Sequence, residues 1–423
     1  MPGGMAEGRS SGARTHKIPR PWVGYFSTVA LRSKGDPTSL DVERVTSESD
    51  SGIDPHKATS IMNVGRSDRF ELNGFWWVLA LLLLLGVQPL AAVEQTTERI
   101  TDVASLEQSI GRVKLRGSGS LSGNTQRLNG GLQVRRLFNT PAFVASEARF
   151  DQERRLPYDL RRWGGDVGLG WALSETTDLL ATYRLDSYKV FNTGANVDPA
   201  FRTVAGRSMV SALGLVFQHD SRDDRFYPTM GSRTRGGGEL ALKGLGGDYN
   251  IGRLETDLAF YATPFRARPN GTLLKDVTFV EHLRLGWMTG FGATDTVPFF
   301  ERYFVGGTTT VRGHRNRWLT PRGLEDQFVG GELQLINNVE ARVPVFPHLF
   351  NRQLSAAVFF DAGRSFRRFS GIGDFGYGVG AGLRYVVHLW KLQGVLRADE
   401  AFSLDHEGDD STARLHLSFG LPF

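Results

Sequence analysis

From residue 113 to the end of the chain, apolar and polar side chains take turns one by one, and this period of two constrains the fold more than any other feature. A strand points successive side chains to opposite sides, so sustained alternation means a sheet with one apolar and one polar face. At 160–173, Trp163, Val167, Leu169, Trp171 and Leu173 share one face, while Arg162, Gly164, Asp166, Gly168 and Gly170 share the other. At 329–343, Leu333, Leu335, Val339, Ala341 and Val343 oppose Glu332, Gln334, Asn338, Glu340 and Arg342. At 375–387, Phe375, Tyr377, Val379, Ala381, Leu383, Tyr385 and Val387 oppose Gly376, Gly378, Gly380, Gly382 and Arg384.

Fourteen such segments are readable, near 113–120, 129–137, 141–150, 160–173, 177–188, 208–219, 231–243, 250–262, 276–289, 329–343, 353–363, 375–387, 391–402 and 412–423. Turn signals such as Pro269-Asn270-Gly271 lie between them. Most are long enough to span a membrane at a tilt. A soluble sandwich also alternates, but its polar face meets water and is rarely sustained over so many strands. Here one face mixes charge with glycine and the other carries Leu, Phe, Trp and Tyr, which suits a wet lumen inside and lipid outside. The expected fold is all-β: a transmembrane antiparallel β-barrel over 113–423, with 14 strands readable and 16 possible. Its connections are longer on one side, at 189–207, 290–328, 364–374 and 403–411, than on the other, as at 138–140, 174–176 and 388–390. Long loops outside and short turns in the periplasm place the C-terminus in the periplasm and the chain in the bacterial outer membrane.

Composition narrows the function. A mean hydropathy of -0.25 is too low for a polytopic helical membrane protein, whereas strands hide their apolarity by alternating. With no cysteine, disulfide staples and thiolate metal sites are excluded. The net charge of +5 is spread over every segment without a basic run, so nucleic acid is not an expected partner. None of the nine histidines has metal-ligand spacing, and His282 and His416 read as lumenal polar residues. There is no G-x-S-x-G elbow. Gly378-Val379-Gly380-Ala381-Gly382 lies inside a strand with no helix after it, unlike a nucleotide-binding turn. No catalytic residue, metal or cofactor is expected, and the chain is not expected to be an enzyme.

Ahead of the barrel, residues 1–61 are rich in Ser, Gly, Arg and Asp and are read as a disordered or non-mature extension. Residues 62–92 read as a signal peptide: Arg66 and Arg69, the apolar run Phe75 to Val87, then Pro89-Leu90-Ala91-Ala92 for cleavage. The run falls short of the roughly 20 residues a spanning helix needs, which disfavours the alternative of a membrane anchor. Residues 93–112 form a short polar segment with no assigned element. At the other end, Leu415, Leu417, Phe419, Leu421 and Phe423 share the apolar face of the last strand. That pattern resembles the signal by which outer-membrane barrels are recognised by the assembly machinery, so Leu417, Phe419, Leu421 and Phe423 are candidates for both lipid contact and insertion.

Several motifs occur in a fixed order: Asp220-Ser221-Arg222-Asp223-Asp224 with Pro228-Thr229-Met230-Gly231, then Gly306-Gly307 followed by Val311-Arg312-Gly313, then Phe359-Phe360-Asp361-Ala362-Gly363, then Phe419-Gly420-Leu421-Pro422-Phe423. Together they resemble the bacterial surface antigen superfamily, which includes outer-membrane barrel-assembly factors and two-partner-secretion transporters. The resemblance runs from about Leu132 to the end. It implies that the loop carrying Gly306, Gly307, Val311, Arg312 and Gly313 folds back into the lumen, with Arg312 paired to Glu340 and Asp361 on the wall. The alternation agrees: Glu340 lies on the charged face of its strand, and Asp361 shares a face with Phe359. A guanidinium fork suits bidentate pairing with carboxylate. Gly313 and the row Gly376, Gly378, Gly380 and Gly382 remove bulk where a tucked loop passes.

The chain departs from the family in four ways. Too few residues separate Ala92 from the first readable strand for a periplasmic polypeptide-transport-associated domain. The family barrel has sixteen strands, two more than can be read here, the first two being either hidden in Glu94–Arg112 or missing. Pro422 removes a ladder donor at the seam between first and last strands, and Glu400 falls on the lipid face, placing it near an interface. Two functions are in view: a barrel that inserts or translocates unfolded outer-membrane or secreted polypeptides with its lumen occupied by the VRG loop, or a passive or structural pore that lost this role with its periplasmic domains.

Overall fold

The computed structural model describes residues 29–31, 42–44 and 102–420, apart from 123, 156, 195, 267–272, 347–349, 351–352, 390–391 and 406–412. The chain divides into two units, Met1–Val87 and Gln88–Phe423. In the first, β1 (Val29–Leu31) and β2 (Val42–Arg44) pair antiparallel, so the stretch read as an extension carries a short two-stranded element. The signal-peptide segment 62–92, the turn at 269–271, Leu421 and Phe423 lie outside the described residues.

The second unit is one meander of fifteen strands among the described residues, each bonded to its neighbour in the chain. In order they are β3 (Asp102–Ile110), β4 (Val113–Ser122), β5 (Thr125–Arg135), β6 (Ala142–Arg154), β7 (Asp159–Ala172), β8 (Thr177–Phe191), β9 (Gly206–Asp220) and β10 (Gly231–Ala241). There follow β11 (Ile251–Ala262), β12 (Thr278–Gly290), β13 (Leu333–Pro344), β14 (Leu354–Phe366), β15 (Gly376–Leu389), β16 (Leu392–Ser403) and β17 (Arg414–Gly420). Every pairing is antiparallel.

The fourteen expected strands are β4 to β17. The fifteenth, β3, lies in the segment 93–112 that carried no assigned element, so one of the further strands of a sixteen-stranded barrel is found there and the sheet starts ahead of Val113. Its apolar residues Val103, Leu106 and Ile110 fall three and four apart, a spacing that conceals a strand from a search for period two. β13 begins at Leu333 rather than 329 because Gly331 pairs with Tyr303 of the preceding loop instead.

The sides of the sheet invert the usual order of a soluble protein. Trp163 is 60% exposed and Leu169 62%, while Asp186 and Asp361 are fully buried. An apolar belt this continuous belongs in lipid, and charges this deeply enclosed belong in a lumen. β17 returns to lie beside β3, with Cα atoms within 8 Å. Fifteen alternating strands leave β3 and β17 running the same way, and among the described residues no ladder joins them. Long connections, including 192–205 and 291–332, gather at one end of the barrel, and the C-terminus lies at the other. Glu400 stands near the long-loop end of β16, three residues before Ser403, where a charge on the outer face costs least.

Candidate functional site

The loop between β12 and β13, residues 291–332, does not project from the barrel. Val305, Val311 and Leu319 from the loop cluster with Ile336 of β13, all essentially without exposure. Three glycines make the fold possible: Gly306, Gly307 and Gly313 have φ of 118°, 96° and 90°, in the region that side chains disfavour. The turn is tied internally, with the Gly307 N–H donating to the Val311 carbonyl at 3.2 Å and the Gly306 N–H to Thr310 Oγ1 at 2.8 Å. Asn338 on β13 donates its amide to the Thr310 carbonyl at 2.7 Å, holding the tip against the wall.

Arg312 projects from that tip into a pocket of carboxylates. Its Nε and Nη2 donate to the two oxygens of Asp361, each at 2.7 Å, the bidentate geometry a guanidinium favours. Its Nη1 reaches Glu340 at 2.8 Å and Asp399 at 3.0 Å, and its backbone N–H also donates to Asp361 at 3.0 Å. The Cζ atom of the guanidinium lies 3.4 Å from the centre of the Phe359 ring, adding a cation–π contact. The carboxylates have further partners: Arg342 Nε donates to Glu340 at 2.8 Å, Arg384 Nη2 to Glu340 at 3.1 Å, and Arg384 also bonds Asp399. Three arginines thus face three carboxylates. Burial alone would push the Arg312 proton off, but Glu340, Asp361 and Asp399 outweigh it and hold the side chain more firmly charged than a free arginine.

The wall is shaped to receive this. A Cβ on Gly378 would collide with the Arg312 carbonyl oxygen, and one on Gly376 with the Leu319 side chain. A Cβ on Gly313 would lie 2.7 Å from the Phe402 carbonyl carbon of β16. His416 of β17 meets Thr308 Oγ1 at 2.8 Å through Nδ1, and Gly313 N–H donates to its Nε2 at 3.2 Å. With Nε2 accepting that N–H, Nδ1 is placed to donate to the Thr308 hydroxyl.

Arg312, Glu340, Asp361, Gly313 and Val311 therefore meet in one pocket, with Gly306 and Gly307 forming the turn behind it. Asp399, Arg342, Arg384 and His416 join them without a distinguishing mark in the sequence. Arg342 and Arg384 stand on polar faces visible in the sequence, and Asp399 shares the inward phase of Arg397 and Ala401 on β16; the signal existed but was not selective. The Asp220–Gly231 motif forms a separate tight turn: Asp223 accepts the N–H groups of Thr229 at 2.8 Å and Met230 at 3.1 Å. At the C-terminus, Leu415 is exposed and Leu417 half-buried on the outer face, and Phe419 pairs with Leu396.

The Omp85 superfamily domain matches residues 114–423. Among curated proteins, the chain is 25% identical over 296 residues to "Outer membrane protein assembly factor BamA" of Nitratidesulfovibrio vulgaris, covering 67% of this chain and 34% of that protein. It is 24% identical over 304 residues to the protein of the same description from Neorickettsia risticii, covering 69% of this chain and 38% of that one. The chain thus spans about a third of the length of these relatives. Among solved structures, BamA from Haemophilus ducreyi lacking POTRA domains 1–3 aligns with a TM-score of 0.57 at 15% identity, over 74% of this chain and 68% of that one, a likeness of fold.

Proposed function

The chain belongs to the Omp85 superfamily and resides in the bacterial outer membrane, and from that premise we propose that it is a polypeptide-handling barrel whose lumen is gated by the Arg312 loop. The observation that carries the reading is the lumen itself. A passive pore needs an open channel, whereas this one is crossed by a loop whose tip sits in a pocket of three carboxylates. Such a loop is a two-state element: docked it closes the lumen, and released it opens a path for chain. Among the described residues β3 and β17 share no ladder, and an extended segment could add at this seam by strand pairing. The role is mechanical, with polypeptides bound for the outer membrane or beyond as clients.

Depletion of the protein followed by quantitative proteomics of the outer membrane tests this reading. Loss of other barrel proteins, or of a secreted client, is expected. An unchanged profile would overturn it and leave the passive-pore alternative.

A further inference from the structure

The inserted loop meets the wall at a second, chemically inverted site. Eleven residues before Arg312, Glu301 closes a short 3-10 turn, Phe299–Glu301, and points to the opposite part of the barrel. Its two oxygens accept from Arg184 Nη1 and Nη2 at 3.2 Å each and from the Tyr188 hydroxyl at 2.7 Å, and Arg253 completes the set. Arg184 and Tyr188 lie on β8 and Arg253 on β11. Arg184 is itself held by Asp186 and Glu239, each at 2.6 Å. The Glu301 side chain is 2% exposed. Phe300 stacks on Tyr188 with ring centres 4.2 Å apart, and Phe299 packs between Tyr158 at 4.6 Å and Phe201 at 4.7 Å, so apolar rings seal the charges from water. Tyr303 adds a hydrogen bond to Glu255 of β11 at 3.0 Å. Beyond the Arg312 tip, Arg317 returns to Glu153 of β6 and to the Tyr158 hydroxyl, each at 2.8 Å.

We propose that Glu301 is a second anchor of the gate, opposite in sign to Arg312, so that the loop is a strut between β8 and β11 on one side and β13, β14 and β16 on the other. This rests on the reading of the loop as a gate. The inverted polarity has a consequence. An arriving cationic segment can compete for the carboxylates around Arg312, and an anionic one for the arginines around Glu301, but neither alone frees the strut. Release requires both ends to let go, which suits a lumen that must stay shut against small ions yet yield to a polypeptide bearing both charges.

The test uses the full chain reconstituted in planar bilayers, as wild type, Glu301→Gln, Arg312→Ala and the double variant. Heat-modifiable migration reports that each barrel is folded, and trypsin cleavage within 302–322 reports loop exposure. Glu301→Gln should raise the open probability about tenfold or more, and do so again in the Arg312→Ala background, as for two anchors that act independently. If Glu301→Gln matches wild type while Arg312→Ala opens the lumen, the strut is overturned and the single-anchor gate stands. If Arg312→Ala is silent, the gate reading and the strut fall together. Should Glu301→Gln not fold, Tyr188→Phe removes only the hydroxyl bond to Glu301: a smaller rise in the same direction supports the strut, and none overturns it.

Discussion

Asp361→Ala is the most informative single perturbation of the Arg312 pocket. Asp361 accepts three hydrogen bonds from Arg312, two from the guanidinium and one from the backbone. Without it, Arg312, Arg342 and Arg384 face only Glu340 and Asp399. Sequence alone left two regimes open, a wet pair worth about 0–1 kcal/mol and a shielded one whose loss costs about 3–5 kcal/mol. Side-chain exposures of 5% for Arg312 and 0% for Asp361 place the pair in the second. When the loop leaves, Arg312 regains water, so the cost falls on the docked state rather than on the barrel. At about 1.4 kcal/mol per factor of ten, undocking of this end becomes roughly a hundred-fold to a few thousand-fold more frequent. Bilayer recordings should show new open events, and trypsin should cut after Arg312 or Arg315. Arg312→Ala leaves Asp361 without its bidentate partner, whereas the double variant removes both members of the pair. Docking of the loop in the double variant should therefore be stronger than the sum of the single losses predicts. If the singles add to within about 0.5 kcal/mol, or if Asp361→Ala changes neither conductance nor cleavage, the pocket is not a shielded lock.

Two further outcomes follow from the same geometry. Gly378→Ala places a methyl group on the Arg312 carbonyl oxygen, an overpacking cost of about 1–3 kcal/mol; the loop should become trypsin-sensitive in a barrel that still migrates as folded. Gly117→Ala, where a new Cβ meets nothing within 4 Å, should leave cleavage unchanged. The second outcome concerns acid. Burial works to raise the Glu301 carboxyl, but Arg184 and Arg253 outweigh it and hold the group well below the usual carboxylate range. A depressed folded-state value means that the stabilisation is complete above the free glutamate value of about 4.3 and fades only as pH falls towards the depressed one. Open probability should thus not rise between pH 7 and pH 5; a rise that Glu301→Gln abolishes would refute the shielded anchor.

How much of this was legible in the sequence depends on what kind of information a barrel writes into its chain. Lipid on one side and a lumen on the other force parity on every wall residue, so the strands from Val113 onward, and the inward aim of Glu340 and Asp361, could be read one residue at a time. β3 escaped because Val103, Leu106 and Ile110 do not keep that parity. Partnership is a different quantity. Asp399 has the right parity, as do Arg397 and Arg414, and only the register, which sets Asp399 opposite Gly382 and His416, brings it under Arg312. Glu301 is harder still, because its neighbours Phe299, Phe300, Tyr303 and Phe304 disguise it as part of an apolar loop, and its partner Arg184 lies 117 residues away. Parity settles inside against outside, one choice per residue; a gate is built from height and angle around the barrel, which no periodicity encodes. At the Arg312 end, a motif resemblance supplies the angle. For the Glu301 end nothing does, and so the half of the strut that the sequence conceals is the half on which the mechanical reading of the loop can be independently tested.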